Sequence, residues 1–280
     1  MAAPDFVAVG HVTLDRFGDV VRPGGAALYA AITAHRLGLS AGILTSHADD
    51  FPLELIPSRI EVVSVPAGAT TRFEHDLRGR GRTMRVPAVA PPLGADDVPA
   101  DWSDTPLVLL APVANEVDPR VATAFSNPAL GASAQGWLRG LREDGTVGPT
   151  RWTPPELLLG RLQALIVSVE DVDGQEEAAV EWFQRIPLGV LTAGRAGALV
   201  FVNGERYEVP PRRAVEVDAT GAGDVFAAAL LIHYQRDGDA WEAAAAAACA
   251  ASLSVEAEGT AGVPDRETLD AALRAYHLAR

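Results

Sequence analysis

Short apolar runs of strand length return along the whole chain, separated by stretches with helical periodicity. This alternation restricts the fold more than any other feature. "DFVAVG" (5–10), "AGILTS" (41–46), "LVLLAP" (107–112), "ALGASAQ" (129–135), "LQALIVS" (162–168) and "LGVLTAG" (188–194) read as strands. Helices are expected at 24–39, near 174–185, and at 224–236, 240–257 and 265–279, with a short one at 118–126. Strands that alternate with helices pack as a mostly parallel sheet covered on both faces, an α/β three-layer sandwich. Ligands in such folds bind beyond the carboxyl ends of the strands. "GALVFVNGERYEV" (197–209) reads as a hairpin turning at Asn203-Gly204. "IEVVSV" (60–65), "TTRFEHDL" (70–77) and "RTMRVPAV" (82–89) alternate apolar and polar residues and suggest a β insertion with one wet face.

The 280 residues suit a single domain, with the insertion at about 59–90 and a short companion segment at 11–23. Formal charge is 23 − 37 = −14, which disfavours nucleic acid and anionic membranes as partners. No apolar run reaches the ~18–20 residues that a membrane helix needs. The start carries no basic, apolar leader, and a cytoplasmic location is the expectation. The lone Cys249, in an alanine-rich run, reads as a small core residue and excludes an intrachain disulfide. All 23 basic residues are arginine, so no lysine nucleophile or phosphate-binding lysine is available. Phosphate chemistry must rest on backbone N–H groups, arginine or metal.

One junction carries chemistry. "AVEVDATGAGDVF" (214–226) reads as a strand, a glycine-rich turn and a helix opening near Asp224. A helix N-terminus has unsatisfied N–H groups and a partial positive charge, and small residues let an anion come close. On spacing alone this fits either an anion site at Gly221, Ala222 and Gly223 or a tight turn with Asp224 as helix cap. A carboxylate beside an anion hole repels the ion that the hole attracts. It gains a purpose as the general base that deprotonates an attacking hydroxyl.

The full pattern "D-A-T-G-A-G-D-V-F" resembles the carboxy-terminal signature of the ribokinase (PfkB) carbohydrate kinase family. "GGAALYAAITAHRLG" (24–38) is similar to the family's amino-terminal "G-G-x-x-x-N" helix, and Asp15 in "HVTLDRF" to its early substrate-binding aspartate. "LTAGRAG" (191–197) resembles the "T-x-G-x-x-G" nucleotide turn, "VSVEDV" (167–172) the "N-x-x-E" motif, and 252–264 the late adenine and cation loop. The resemblance implies a ribokinase-like fold with a small β lid and transfer of the ATP γ-phosphate to an alcohol. It implies Asp224 as catalytic base and Gly221, Ala222 and Gly223 as anion hole. It places Asp15, Gly24, Gly25 and the Tyr29 position at the acceptor, and Thr192, Gly194, Gly197, Ser168 and Gly259 at the nucleotide. It puts Asp171 or Glu170 at a water-mediated Mg²⁺, and Asp218 and Thr220 at a monovalent cation such as K⁺.

The chain departs from the family pattern at three places. Tyr29 replaces the asparagine of the first motif, and Ser168 and Asp171 replace the asparagine and glutamate of "N-x-x-E". The segment between Asp15 and Gly24 is short, which makes the lid reduced and a monomer as reasonable as a homodimer. These features, with "QGWLRGLREDGTV" (135–147), look most like the inositol-kinase branch. His11 and Arg72 are added as acceptor contacts, with His75 as a further lid candidate. Arg139 and Arg142 read more readily as solvated helix arginines than as a phosphate clamp, Gln135 as a phosphate contact or a plain strand end, and "GRGR" (79–82) as a solvated turn. The expected activity is phosphorylation of a sugar or cyclitol hydroxyl, inositol-like by preference, with a nucleoside as alternative acceptor. A phosphorylated acceptor would need a basic cluster, for which only Arg72, Arg78, Arg80, Arg82 and Arg85 are on offer. A non-catalytic ligand sensor on the same fold is the reading from another class.

Overall fold

A computed structural model of the chain describes residues 2–76 and 83–279. The "GRGR" turn, together with Arg78, Arg80 and Arg82, therefore lies outside the described residues. Four elements open the chain: β1 (Phe6–Val9), β2 (Thr13–Phe17), β3 (Val20–Gly24) and α1 (Ala26–Arg36). β4 (Ala41–His47) and β5 (Ile60–Pro66) follow, then β6 (Thr71–Asp76) and β7 (Thr83–Ala88). The middle holds β8 (Leu107–Leu110), β9 (Ala129–Ser133), β10 (Arg139–Leu141), β11 (Val147–Pro149) and α2 (Glu156–Leu159). β12 (Leu162–Ser168), α3 (Glu176–Phe183), β13 (Leu188–Thr192), β14 (Ala198–Val202) and β15 (Glu205–Val209) lead to α4 (Ala222–Asp237), α5 (Ala240–Ser254) and α6 (Arg266–Leu278).

Among the described residues nine strands form one sheet, ordered β15-β14-β13-β12-β9-β8-β1-β4-β5. All neighbours are parallel except β13/β14 and β14/β15. Alternate residues of each inner strand feed two cores. Phe6 and Ala8 join the core under α1, α4, α5 and α6, while Val7 and Val9 join the one under α2, α3 and Trp102. The ribokinase-like three-layer α/β arrangement follows from that double burial. Chain order runs outward from β1 toward β5 on one side and from β8 toward β15 on the other. The sheet's switch point therefore lies between β1 and β8, and the crevice beyond their carboxyl ends is where such a fold places a ligand.

Helices sit close to the sheet because their buried faces are small. Ala26, Ala27, Ala30, Ala31 and Ala34 of α1, and 243–250 of α5, are all buried, with Cys249 in the core as expected. Asp239 caps α5 by accepting from the N–H groups of Trp241 and Glu242, and Asp265 caps α6 through Thr268; such caps stabilise by about 1 kcal/mol each. The β14/β15 hairpin turns at Asn203 (φ 51°) and Gly204 (φ 81°), the two left-handed residues that a type I′ turn requires.

Two assignments need correction. Residues 60–65 do not belong to the insertion: β5 pairs in parallel with β4 as the edge of the main sheet. Its alternation is that of a half-covered edge strand. The small sheet is β3-β2-β6-β7, built from the 11–23 segment and the strands after Thr70. Residues 214–218 are not a strand either. They run irregularly after Pro210-Pro211, with Val215 79% and Val217 59% exposed, because β15 already ends the sheet on that side. Two bonds from the N–H groups of Val217 and Asp218 to the Val255 carbonyl, at 2.7 and 3.1 Å, hold the segment instead.

Candidate active site

The start of α4 forms the floor of the site. Gly221 is the N-cap, left-handed at φ 78°, and Asp224 lies in the first turn of the helix rather than capping it. A Cβ on Gly221 would overlap the Tyr29 ring, so this glycine is demanded by both conformation and packing. Gly223 differs. Its φ is ordinary and an added Cβ would meet nothing within 4 Å. Neither packing nor backbone needs a glycine there, and glycine costs a helix roughly 0.5–1 kcal/mol relative to alanine. Among the described residues the N–H groups of Gly221 and Gly223 find no acceptor, whereas the Ala222 N–H turns back to the Ala219 carbonyl at 3.3 Å. Two donors in the turn before Asp224 are thus left without a described protein acceptor, and the Gly223 position is open.

Burial pushes the Asp224 carboxyl up to about 7. The Arg139 guanidinium opposes that rise, and the Asp171 and Asp15 carboxylates reinforce it. These four residues come from positions far apart in sequence, and their charges meet at the carboxyl end of the sheet. Arg139 was expected on a solvated helix. It stands on β10, donates to the Val113 carbonyl at 3.2 Å and lies 5.7 Å from the Phe73 ring centroid. Its only sequence signal is its place shortly after the β9 strand end; the carboxylates it faces are brought in by other elements. Asp171 is the inward acid of the "VSVEDV" stretch, with its own carboxyl raised by burial and lowered by Arg139 and a hydrogen bond to Gln135. Glu170 is exposed.

The small sheet brings Asp15 to the site. Asp15 pairs with Phe73 across β2 and β6, so the two share the face that Thr13, Phe17 and His75 also occupy. Thr13 donates to Asp15 Oδ1 at 2.8 Å, and His75 stacks on Phe17 with centroids 4.4 Å apart. A Cβ on Gly24 would overlap Asp15 Oδ2, and one on Gly25 (φ 100°) would overlap the His11 carbonyl. Tyr29 is buried beneath the same space. Burial, followed by the Asp218, Asp224 and Asp15 carboxylates, pushes its phenol well above the ordinary tyrosine range.

His11 and Arg72, expected as acceptor contacts, are both engaged by the protein itself. Both His11 ring nitrogens are committed: Nε2 donates to the Pro91 carbonyl at 2.9 Å, which leaves Nδ1 to accept from the Thr71 hydroxyl at 2.7 Å. His11 is a fully buried strut between β1 and β6. Arg72 alternates with Phe73 and so lies on the opposite face of β6, where it pairs with Asp50.

Ser168 and Thr192 are paired neighbours at the ends of β12 and β13, next to Asp171. Thr192 Oγ1 donates to the Val167 carbonyl at 3.3 Å. Gly194 (φ 52°) and Gly197 (φ 93°) shape the turn from β13 into β14, and Gly194 faces open space. Gly259 is placed elsewhere, against the 218–224 turn: its N–H donates to Asp218 Oδ2 at 3.1 Å. Asp218 Oδ1 accepts from the Thr220 N–H at 2.9 Å. Among the described residues no three His, Cys, Asp or Glu side chains are grouped to hold a metal. No helix among them is long and apolar enough to cross a membrane.

Residues 157–266, the stretch that holds Asp171, the 192–197 turn and Asp224, match the pfkB family carbohydrate kinases. A cytidine kinase from Thermococcus kodakarensis is 28% identical over 256 residues, spanning 83% of this chain and 89% of its own length. A fructokinase from Rhizobium leguminosarum is 25% identical over 265 residues, 80% and 75% of the two chains. Among solved structures, a pyrophosphate-dependent kinase of the ribokinase family, bound to a pyrophosphate analogue and myo-inositol, superposes with a TM-score of 0.80 at 23% identity over 95% of this chain and 99% of that one. The Arabidopsis thaliana ribokinase bound to ribose and ATP superposes at 0.71, with 20% identity over 97% and 99%. With this fold and this signature turn, residues 157–266 carry the match to pfkB family carbohydrate kinases, and the chain shares the fold of ribokinase-family structures.

Proposed function

We propose that the protein transfers the γ-phosphoryl group of ATP to a hydroxyl of a small uncharged polyol. Asp224 is the base and the 221–223 turn the anion hole. The observation that carries this reading is Gly223, a helix-opening glycine that packing does not require, with an unpaired N–H beside a carboxylate of raised pKa. In the transfer the acceptor hydroxyl lies between Asp15 and Asp224. Asp224 takes its proton as the oxygen attacks in line, and the free N–H groups stabilise charge on the equatorial oxygens. Arg139 sets a fixed positive charge beside the same carboxylates, supplying in part what a lysine would in other phosphate sites. Asp171 with Gln135 would hold a Mg²⁺ through its waters, and such an ion would supply positive charge against the donor phosphates.

Asp15, Asp224 and Asp171 make the pocket acidic. The described arginines that could greet a phosphorylated acceptor are engaged: Arg72 on Asp50, and Arg85 on the Asp144 carbonyl at 2.6 Å. That favours a neutral acceptor. A cyclitol or sugar comes first, in line with the inositol-bound neighbour and the fructokinase relative. A nucleoside is the second reading, and the 28% identity with a cytidine kinase favours it. The test is product formation from ATP and Mg²⁺ across cyclitols, pentoses, hexoses and nucleosides, with pyrophosphate as a parallel donor. Turnover of a neutral polyol meets the expectation. Thermal stabilisation by such ligands without turnover from any donor would leave a ligand sensor on a kinase fold.

A further inference from the structure

The family resemblance assigns a monovalent cation to Asp218, but both oxygens of the carboxylate are already engaged by the chain itself. Its Oδ1 accepts from Thr220 N–H at 2.9 Å, and its Oδ2 accepts from Gly259 N–H at 3.1 Å. A third donor is a cation: Arg22 Nη1 lies 3.4 Å from Oδ2, and Arg22 Nη2 lies 3.0 Å from Glu258 Oε2. The guanidinium also sits 5.9 Å from the Phe17 ring centroid, which anchors it to the small sheet. Burial raises the Asp218 carboxyl, and the Thr220 and Gly259 hydrogen bonds and Arg22 together bring it below the ordinary value. Asp218 and Glu258 belong to the two segments that frame the anion turn, the 218–224 junction and the loop around Gly259. Arg22 belongs to β3, two residues before Gly24.

We infer that Arg22 is a built-in cation for this site. Its guanidinium takes the place of a monovalent metal ion between Asp218 and Glu258, and it ties the anion turn to the lid strand that meets the acceptor. The inference rests on the kinase reading and deepens it. Arginine suits this position for two reasons. It stays charged at every working pH, and its planar fork reaches two carboxylates at once. An ion drawn from solution would have to compete with a charge attached to the fold. Phosphoryl transfer is then independent of added K⁺. Arg22 acts through Asp218, so it is a positioning residue.

The experiment measures transfer in buffers whose only monovalent cation is tetramethylammonium, against a KCl titration at constant ionic strength. Native protein and Arg22→Ala are compared, with melting temperature followed in the same solutions. Native turnover should change by less than about twofold with K⁺, whereas Arg22→Ala should fall by at least about tenfold without K⁺ and recover with it. Arg22→Lys should retain part of the K⁺ independence, which a simple packing role would not restore. Activation of the native protein by K⁺ of about tenfold or more would overturn the inference, as would full K⁺-free activity of Arg22→Ala. If no acceptor is phosphorylated under any condition, the kinase reading fails, and melting still decides the cation. A K⁺-specific rise confined to Arg22→Ala supports the built-in cation; a rise in the native protein, or none in either, refutes it.

Discussion

The glycines around the site are glycines for different reasons. Toward the small sheet and α1, Gly24, Gly25 and Gly221 are closed in by the protein: a Cβ would overlap Asp15, the His11 carbonyl or the Tyr29 ring. Toward the 192–197 turn and the start of α4, Gly197 is closed in by the Val209 carbonyl, but Gly194 and Gly223 face open space. The first group is what lets the small sheet, α1 and the anion turn come together. The second leaves room for something that is not part of the chain. The first group is fixed by folding, and the second is open to close approach from outside. This contrast is more informative than glycine content, because it separates a packing requirement from a ligand requirement at single positions.

The strongest way to break the comparison is at the carboxylate between the two sides. Asp224→Asn should lower turnover by about 10²–10⁴-fold while acceptor binding, measured by calorimetry, persists. The same variant has a stability signature. Asp224 titrates near 7 in the fold against an ordinary 3.8, so the folded state holds its proton more tightly. The stabilisation this provides is complete below the ordinary value and is lost as pH rises toward 7. Asp224→Asn should therefore melt higher than the native protein at pH 8 and show much less advantage at pH 4.

Arg139→Met comes next in size. Loss of its charge should slow transfer by roughly 10–10²-fold, and it should move the acid limb of the pH profile upward, since Arg139 lowers the Asp224 pKa. The paired glycine variants then sharpen the contrast directly. Gly221→Ala strains a left-handed residue and collides with Tyr29, and should destabilise by about 1–3 kcal/mol in denaturant titrations. Gly223→Ala should leave stability unchanged or raise it by up to ~1 kcal/mol, yet lower kcat, because the methyl group narrows the approach to the N–H groups. A Gly223→Ala variant of full activity would remove the ligand requirement from that position. The smallest effect belongs to Arg72→Ala. Its half-exposed pair with Asp50 faces away from Asp15, and rate and stability should stay within about twofold and 1 kcal/mol of the native values.

How legible each part was depends on how local its cause is. The Asn203-Gly204 hairpin and the 221–224 turn carry their geometry in adjacent residues, and the parallel sheet announces itself in repeated apolar runs. Ile60–Pro66 misled because a half-covered edge strand and a lid strand alternate alike; only pairing with β4 distinguishes them. The Val-Glu-Val stretch at 215–217 has strand composition but no free sheet edge beside it. The sequence marked Tyr29 as a departure from the family. That its ring closes over Gly221 is a fact of packing between α1 and α4. Arg139 and Arg22 were hardest to read. Each matters through carboxylates from distant segments, and nothing in their own neighbours announces the meeting.

The most direct measurement is the pH dependence of kcat/KM for the acceptor that the panel identifies. Asp224 as a base with a raised pKa predicts a rise with unit slope to a plateau above about 7, because the free enzyme must first lose that proton. A flat profile from pH 5 to 9, or an acid limb at the ordinary carboxylate value, would contradict the account.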